Sequence, residues 1–129
     1  MTEKQVKSIV KSWQELFSLE QWEIGVECKN GKFVDANGQG QVLAFIEPDR
    51  CTQSVLITIA MANDDEDLKD TICHEMLHLL FFEVETLLNI LVGFISDSQI
   101  REVMCEVAHG RKEEFIARLE RVLRDDPRA

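Results

Sequence analysis

The chain has no tyrosine, few helix-breaking residues and no long apolar segment. Its 129 residues include two prolines and six glycines, and neither residue type occurs between residues 64 and 92. An uninterrupted helical pattern is therefore expected over that stretch. The longest apolar run, residues 87 to 95, is broken by Asn89 and Gly93 and is too short to cross a bilayer. The sequence predicts no membrane segment.

Basic residues are also in the minority. The chain has 14 Lys and Arg residues against 24 Asp and Glu residues, which gives a formal net charge of −10. A surface of that sign repels phosphate backbones, so nucleic-acid binding is excluded as the main activity and basic or neutral partners are expected. The length and the hydrophobic content of 45% are those of one globular domain that spans residues 1–129.

The cysteines form no C-x-x-C pair, which excludes a zinc knuckle and a thioredoxin-like motif. The four are far apart along the chain: Cys28, Cys51, Cys73 and Cys105. The first seven residues are mostly polar and lack the apolar segment of a signal peptide. These observations predict reduced thiols and a cytoplasmic protein.

The remaining pattern predicts an α+β domain with an N-terminal helix, a small sheet of three to four strands, and helices after the sheet. Apolar residues recur at helical spacing over residues 3–19 and alternate with polar residues over residues 22–28. Two short segments rich in apolar and β-branched residues, 42–46 and 54–60, predict further strands. We expect Pro48 to close the first of these two strands, since proline cannot donate to a ladder.

A long helix is predicted to begin near residue 64. Asn63 or Asp64 can act as its N-cap, and the acidic residues 64–67 suit the positive end of the helix dipole. The helix, or a second helix joined to it, should continue to Gly93. A last helix is predicted over residues 100–123, with Ser96 or Ser98 able to cap it.

The predicted long helix contains an H-E-x-x-H motif, His74-Glu75-Met76-Leu77-His78. Residues four apart share one face of a helix, so the two imidazoles can bind a single zinc ion. Glu75 lies beside them as a candidate general base. Since the chain has only three histidines and two of them fall in the motif, a metal site is the favoured interpretation.

A catalytic zinc ion usually has three protein ligands, so a third ligand is required. The metzincin extension is absent, because no Gly or third His follows His78 at the required spacing. Four candidates share one stripe of the last helix, with steps of three and four residues between them. They are Glu102, Glu106, His109 and Glu113.

These residues resemble a family of small zincin-like zinc metallopeptidases that is common among phage and prophage proteins. The resemblance rests on Trp22-Glu23-Ile24-Gly25-Val26 after a first helix, on the short strands, on the motif helix and on the segment 113–119 of a late helix. It covers most of the chain, and only the H-E-x-x-H motif is specific to the family.

The resemblance implies a zincin-like fold with Zn²⁺ as cofactor and a protein or peptide as substrate. His74 and His78 correspond to zinc ligands, Glu75 to the general base and Glu113 to the third ligand. A competing assignment comes from the gluzincin E-x-x-x-D pattern, which Glu102-x-x-x-Glu106 resembles with Glu in place of Asp.

Three hypotheses follow, ranked in this order. The chain is a zinc peptidase in which Glu75 takes a proton from a zinc-activated water, or a zinc-binding module without turnover, or a metal-free interaction protein. The absence of tyrosine bears on the first, since the oxyanion formed in peptide hydrolysis needs a stabiliser besides zinc and His109 is the only other histidine. The resemblance also implies that an edge strand, residues 42–46 or its neighbour, binds the substrate by β-addition.

A dense apolar region follows the motif. It comprises Phe81, Phe82, Leu87, Leu88, Ile90 and Leu91. Apolar side chains at this density usually belong to a core, although a dimer face is an alternative. We therefore expect the region to be buried, and the sequence does not indicate an oligomeric state.

Overall fold

The computed structural model describes residues 1–30, 33–34, 41–42, 44–61 and 64–123. Three helices are present in this part of the chain: α1 (Glu3–Leu16), α2 (Asp65–Gly93) and α3 (Ser98–Leu123). The strands are β1 (Glu23–Lys29), β2 (Phe33–Val34), β3 (Gln41–Val42), β4 (Ala44–Asp49) and β5 (Ser54–Ala60). The α+β class is confirmed.

The main sheet is small and mixed, with strand order β1-β5-β4. The central strand β5 runs parallel to β1, with Val26 opposite Ile57, and antiparallel to β4, with Ile46 opposite the same residue. A separate antiparallel pair joins β2 and β3. The central position of β5 explains its composition, since Ile57 and Ile59 are completely buried.

Pro48 does not close its strand, contrary to the expectation from the sequence. β4 continues to Asp49, and Pro48 lies opposite Val55 of β5. Proline is tolerated because β4 is the outer strand of the three-stranded sheet, where a missing N–H costs no hydrogen bond on the side away from β5. The outer position also brings β4 beside α2.

Helix α1 covers the core and is shorter than predicted. Thr2 and Gln5 form a capping box at its start, and the helix ends at Leu16 rather than near residue 19. Its buried stripe contains Val6, Val10 and Trp13, as the helical spacing of apolar residues predicts. These side chains join one hydrophobic core with β5 and with the first half of α2.

The long helix begins where the sequence predicts. Asp64 is the N-cap, and its side chain accepts a hydrogen bond from the backbone N–H of Asp67 at 2.9 Å. The alternative cap, Asn63, lies outside the described residues. α2 continues without a loop to Gly93 and bends by 47° near residue 83.

Neither Ser96 nor Ser98 caps the last helix. The Asp97 carboxylate accepts hydrogen bonds from the backbone N–H groups of Gln99 and Ile100, at 2.9 and 3.1 Å. Asp at an N-cap is as favourable as Ser and adds negative charge at the positive end of the helix dipole. The helix begins at Ser98.

Helices α2 and α3 form an antiparallel hairpin. Contacts join His74 to Glu120, Phe81 to Phe115 and Glu85 to Lys112, so residue numbers rise on one helix as they fall on the other. We call residues 65–82 and 108–123 the proximal half of the hairpin, and residues 84–107 the distal half. The sheet and α1 pack against the proximal half.

The prediction that the apolar region after the motif is buried is wrong for its second part. Phe81 and Phe82 pack against the core. Leu87, Leu88, Ile90 and Leu91 lie on the distal half with exposed fractions of 42% to 56%. The physical reason is that this part of α2 turns Glu85, Thr86 and Asn89 toward the groove along β4, while these four side chains lie on other faces of the helix and stay exposed.

No single helix among the described residues has the length and apolar character needed to cross a membrane. The segments Asp65–Phe82 and Val84–Gly93 meet that test only as a bent pair, by length and composition. The first of the two segments supplies much of the buried core.

Candidate functional site

The two motif histidines meet on one face of the proximal half of α2. Their Nε2 atoms lie 3.0 Å apart, and their side chains are 31% and 19% exposed for His74 and His78. Met76 and Leu77, which lie between them, point elsewhere, since both are completely buried in the core. Helical periodicity therefore separates the two functions of this segment, with core packing on one face and the imidazoles on another.

Helix α3 supplies a carboxylate to the same point. Glu113 places Oε1 at 3.5 Å from His78 Nε2 and Oε2 at 3.9 Å from His74 Nε2. One donor atom from each of these three residues lies within 4.8 Å of the other two. The structure thus brings together His74, His78 and Glu113, the three residues predicted as metal ligands.

The spacing of these atoms fits a small divalent cation. With bonds of about 2.0–2.2 Å and tetrahedral angles, neighbouring donors around zinc are roughly 3.3 Å apart. The observed separations of 3.0, 3.5 and 3.9 Å bracket that value. Two imidazoles and one carboxylate are also the donor set of many catalytic zinc sites, which leave the fourth position for water.

Glu120 completes the arrangement, and the sequence analysis missed it. Its Oε2 lies 3.0 Å from His74 Nδ1. Since a carboxylate can only accept, the His74 ring carries its proton on Nδ1 and directs the Nε2 lone pair toward His78 and Glu113. The available signal was the seven-residue spacing from Glu113, which places both carboxylates on one face of α3.

Burial and neighbouring charges tune two groups of the site. Burial lowers the pKa of His78, although Glu113 acts in the opposite direction, and this favours the neutral imidazole that binds metals. Burial raises the pKa of Glu75 to about 7; His74 opposes the shift, while Glu113 and Glu120 add to it. A carboxyl group with a pKa near neutrality can both accept and return a proton.

Cys73, which precedes the motif, does not belong to the reactive set. The side chain is buried in the core, and burial raises the pKa of its thiol to about 12. The thiolate required of a nucleophile or a metal ligand is therefore scarce at neutral pH. Its contribution is to packing.

A groove runs between α2 and the outer strand β4, and Glu75 lies at its middle. On one side is a cavity of about 310 Å³ with acidic walls, to which Asp67, Asp70 and Glu120 contribute. On the other is a cavity of about 430 Å³ with an apolar wall, to which Phe45, Ile46 and Phe82 contribute. Ala44 and Glu75 line both cavities, so they form one groove along β4.

The competing candidates for the third ligand lie elsewhere. Glu102 and Glu106 are exposed on the distal half of α3, and His109 is exposed beside a different groove between α2 and α3. None of the three belongs to the metal-competent group that the described residues form. The difference arises because α3 meets the motif face of α2 at Glu113 and Glu120, whereas His109 lies beside the later turns of α2, near Glu85 and Leu88.

Comparison of the chain with protein-family models, with curated proteins and with solved structures finds no match.

Proposed function

We propose that this chain is a zinc-dependent metallopeptidase with a zincin-like fold, which acts in the cytoplasm on a protein or peptide. The observation that carries the proposal is the convergence of His74, His78 and Glu113 on one point, with donor atoms within 4.8 Å of one another. A helix-borne pair of histidines, a carboxylate from a second helix and a glutamate beside the first histidine together match the needs of metal-assisted hydrolysis.

Each residue has a separate task in this proposal. His74, His78 and Glu113 would hold the ion, which when bound acts as a Lewis acid and lowers the pKa of water to about 7. Glu75 accepts the proton of the attacking water and later gives it to the leaving amine. Glu120 fixes the orientation and tautomer of His74 through the 3.0 Å contact.

The groove along β4 provides a place for the substrate. An extended peptide in it would lie beside the outer strand of the sheet, which is the arrangement used in β-addition. The peptide would pass Glu75 at the junction of the two cavities. Their walls favour a basic side chain at the acidic end and an apolar side chain at the other.

A second candidate function is a zinc-binding module without turnover. The chain has no tyrosine, and its third histidine, His109, is exposed beside a groove other than the one that contains Glu75. The chain therefore has no tyrosine that could stabilise the oxyanion of peptide hydrolysis, and His109 is not placed to do so. The two candidates agree on the metal and differ only in catalysis.

The first experiment is elemental analysis of the native chain, purified without chelator or added metal, beside His74→Ala. About one zinc per chain is expected in the native protein and almost none in the variant, because one of three protein ligands is lost. His109→Ala is the matched control and should keep its zinc, since His109 lies outside the ligand group.

Two results would contradict the proposal. Native protein without metal, even after dialysis against zinc, would exclude a zinc enzyme. Zinc retained by His74→Ala would place the metal elsewhere. Zinc bound as expected, with no cleavage of any peptide by the native chain, would select the non-catalytic module.

A further inference from the structure

The distal half of the α2–α3 hairpin exposes a large set of apolar side chains. On α2 they are Val84, Leu87, Leu88, Ile90, Leu91 and Phe94, with exposed fractions from 42% to 82%. On α3 they are Ile100, Val103, Met104 and Val107, with exposed fractions from 46% to 57%. Single exposed apolar residues are ordinary, but ten within residues 84–107 form a surface that calls for a partner.

Both helices carry the same spacing of exposed apolar residues. Val84, Leu87, Leu88 and Leu91 repeat at intervals of three, one and three residues, and the four residues on α3 repeat at the same intervals. This is the a/d spacing by which helices pack side by side in bundles and coiled coils. Each helix therefore has a seam that fits another helix.

The two seams face the same side of the hairpin. The inner faces of the helices, marked by Val92 on α2 and Ala108 on α3, line an apolar groove of about 300 Å³ between them. On each helix the centre of the seam lies about a quarter of a turn from the inner face, in the same rotational sense, and Val84 and Leu88 border the groove. Because the helices run antiparallel, equal rotations place both seams on one side.

The exposed apolar area approaches what a stable dimer buries. At roughly 150 Å² for a fully exposed large apolar side chain, half-exposure of the eight seam residues leaves on the order of 600 Å². The largest apolar patch on a typical monomer is about 300–600 Å². A standard protein interface buries about 800 Å² on each partner.

We infer that the distal half of the hairpin is the dimer interface of this protein, where the α2–α3 hairpins of two copies pack as a four-helix bundle. A second copy presents the same pair of seams, so a two-fold axis through the patch makes the surface self-complementary. The catalytic groove reaches the distal half only at Glu85, Thr86 and Asn89, and no seam residue lines it, so each copy keeps its own site accessible.

The charge of the distal half argues against a lipid membrane as the binding partner of its apolar surface. Helices that lie on membranes carry Lys and Arg on their polar face. The distal half has four acidic residues, Glu85, Asp97, Glu102 and Glu106, and one basic residue, Arg101, within a chain of net charge −10. Anionic headgroups would repel this surface, whereas a second hairpin meets its apolar seams without requiring a basic face.

The test is sedimentation equilibrium of the native chain and of Val107→Glu over a range of concentrations. The native chain should show about twice the chain mass of 14.8 kDa. In the variant, dimer dissociation should become at least about 100-fold easier, because an unpaired carboxylate would be buried in the interface. Leu91→Glu makes the same test independently from α2.

Val122→Glu is the matched control. It is the same substitution on the same helix, at a position that is 75% exposed but belongs to the proximal half. It should leave the dimer intact and show that added negative charge alone does not separate the copies. Helical circular dichroism and zinc content, measured on every variant, separate loss of the dimer from loss of the fold or of the metal site.

The inference is overturned by a native chain that stays monomeric at every concentration, or by a dimer that Val107→Glu and Leu91→Glu leave as tight as before. Co-sedimentation of a monomeric native chain with vesicles of phosphatidylcholine and phosphatidylglycerol would also overturn it, since the surface would then bind lipid. None of these outcomes depends on zinc binding or peptidase activity.

Discussion

The two halves of the α2–α3 hairpin distribute polar and apolar side chains in opposite ways. In the proximal half, Ile72, Met76 and Leu77 are completely buried, and His74, His78 and Glu113 converge on one partly buried site. In the distal half the apolar residues are largely exposed, and Glu102 and Glu106 are exposed as well. The same helices thus serve as a core with a site at one end and as an uncovered surface at the other.

The contrast shows that composition along a helix does not determine which residues are buried. The proximal half is covered by the sheet and α1, and this covering holds His74 and His78 at a fixed distance from the carboxylates of α3. In the distal half, Glu85, Thr86 and Asn89 line the groove along β4, and the exposed apolar side chains lie on other faces. Rigidity suits a metal site, which tolerates little displacement of its ligands, whereas an apolar surface suits association.

The largest expected effect is on the rate of catalysis, and it should follow from changing a carboxylate of the proximal half but not one of the distal half. Glu75→Gln should lower the rate of peptide cleavage by about 10²–10⁴-fold, because the amide cannot accept the proton of the attacking water. Zinc content should stay at the native level, since Glu75 is not among the three metal-competent residues. The measurement is the steady-state rate on a peptide library together with elemental analysis.

Glu106→Gln on the distal half is the control for this substitution. It makes the same chemical change at an exposed position and should leave the rate within about two-fold of native, as surface substitutions usually do. Native-like cleavage by Glu75→Gln would remove Glu75 from the mechanism.

Core truncations should distinguish the halves by stability. Leu77→Ala is expected to cost about 2–5 kcal/mol of the free energy of unfolding, because it leaves a cavity in a fully packed core. Leu87→Ala, at a position 56% exposed, should cost less than about 1 kcal/mol in dilute protein. Urea denaturation followed by circular dichroism measures both, and equal losses would show that the distal half is packed as tightly as the proximal half.

An intermediate effect is expected from Glu120→Gln. The amide weakens the hydrogen bond that fixes the His74 ring, so zinc affinity should fall by about 10–100-fold while the stoichiometry stays at one. Competition with a fluorescent chelator measures the affinity. Glu114→Gln, an exposed neighbour that pairs with Arg111, should bind zinc like the native chain.

Complete loss of zinc from Glu120→Gln would instead indicate that Glu120 is itself a ligand. An unchanged zinc affinity would show that its contact with His74 does not support metal binding. Either result would revise the description of the proximal half.

The smallest expected effect concerns the acidic end of the groove. Replacement of a basic residue by Gln in a cleaved peptide should lower kcat/KM by up to about five-fold, the scale of an exposed charge pair. Asp67→Asn should reduce that preference, since Asp67 lines the acidic cavity. Glu102→Gln on the distal half should not change it, and an equal effect of the two variants would point to the overall charge of −10 rather than to the groove.

Much of the local structure could be predicted from the sequence. Helical spacing identified α1 and its buried stripe, alternation identified β1, and Asp64 was one of two predicted caps of α2. The errors have a common cause. Pro48 and Leu87 were interpreted from residue type, but their environments depend on which strand is outermost and on which face of the helix another element covers.

The candidate site, too, could be predicted from the sequence only in part. The sequence determined by itself that His74 and His78 share a helix face beside Glu75, because backbone hydrogen bonds fix the i, i+4 geometry wherever the helix lies. Only the tertiary structure decided that Glu113 rather than Glu102, Glu106 or His109 meets them, and that Glu120 supports His74. One stripe of α3 carries all four candidates, and the antiparallel packing of α3 on α2 brings only its proximal end to the motif.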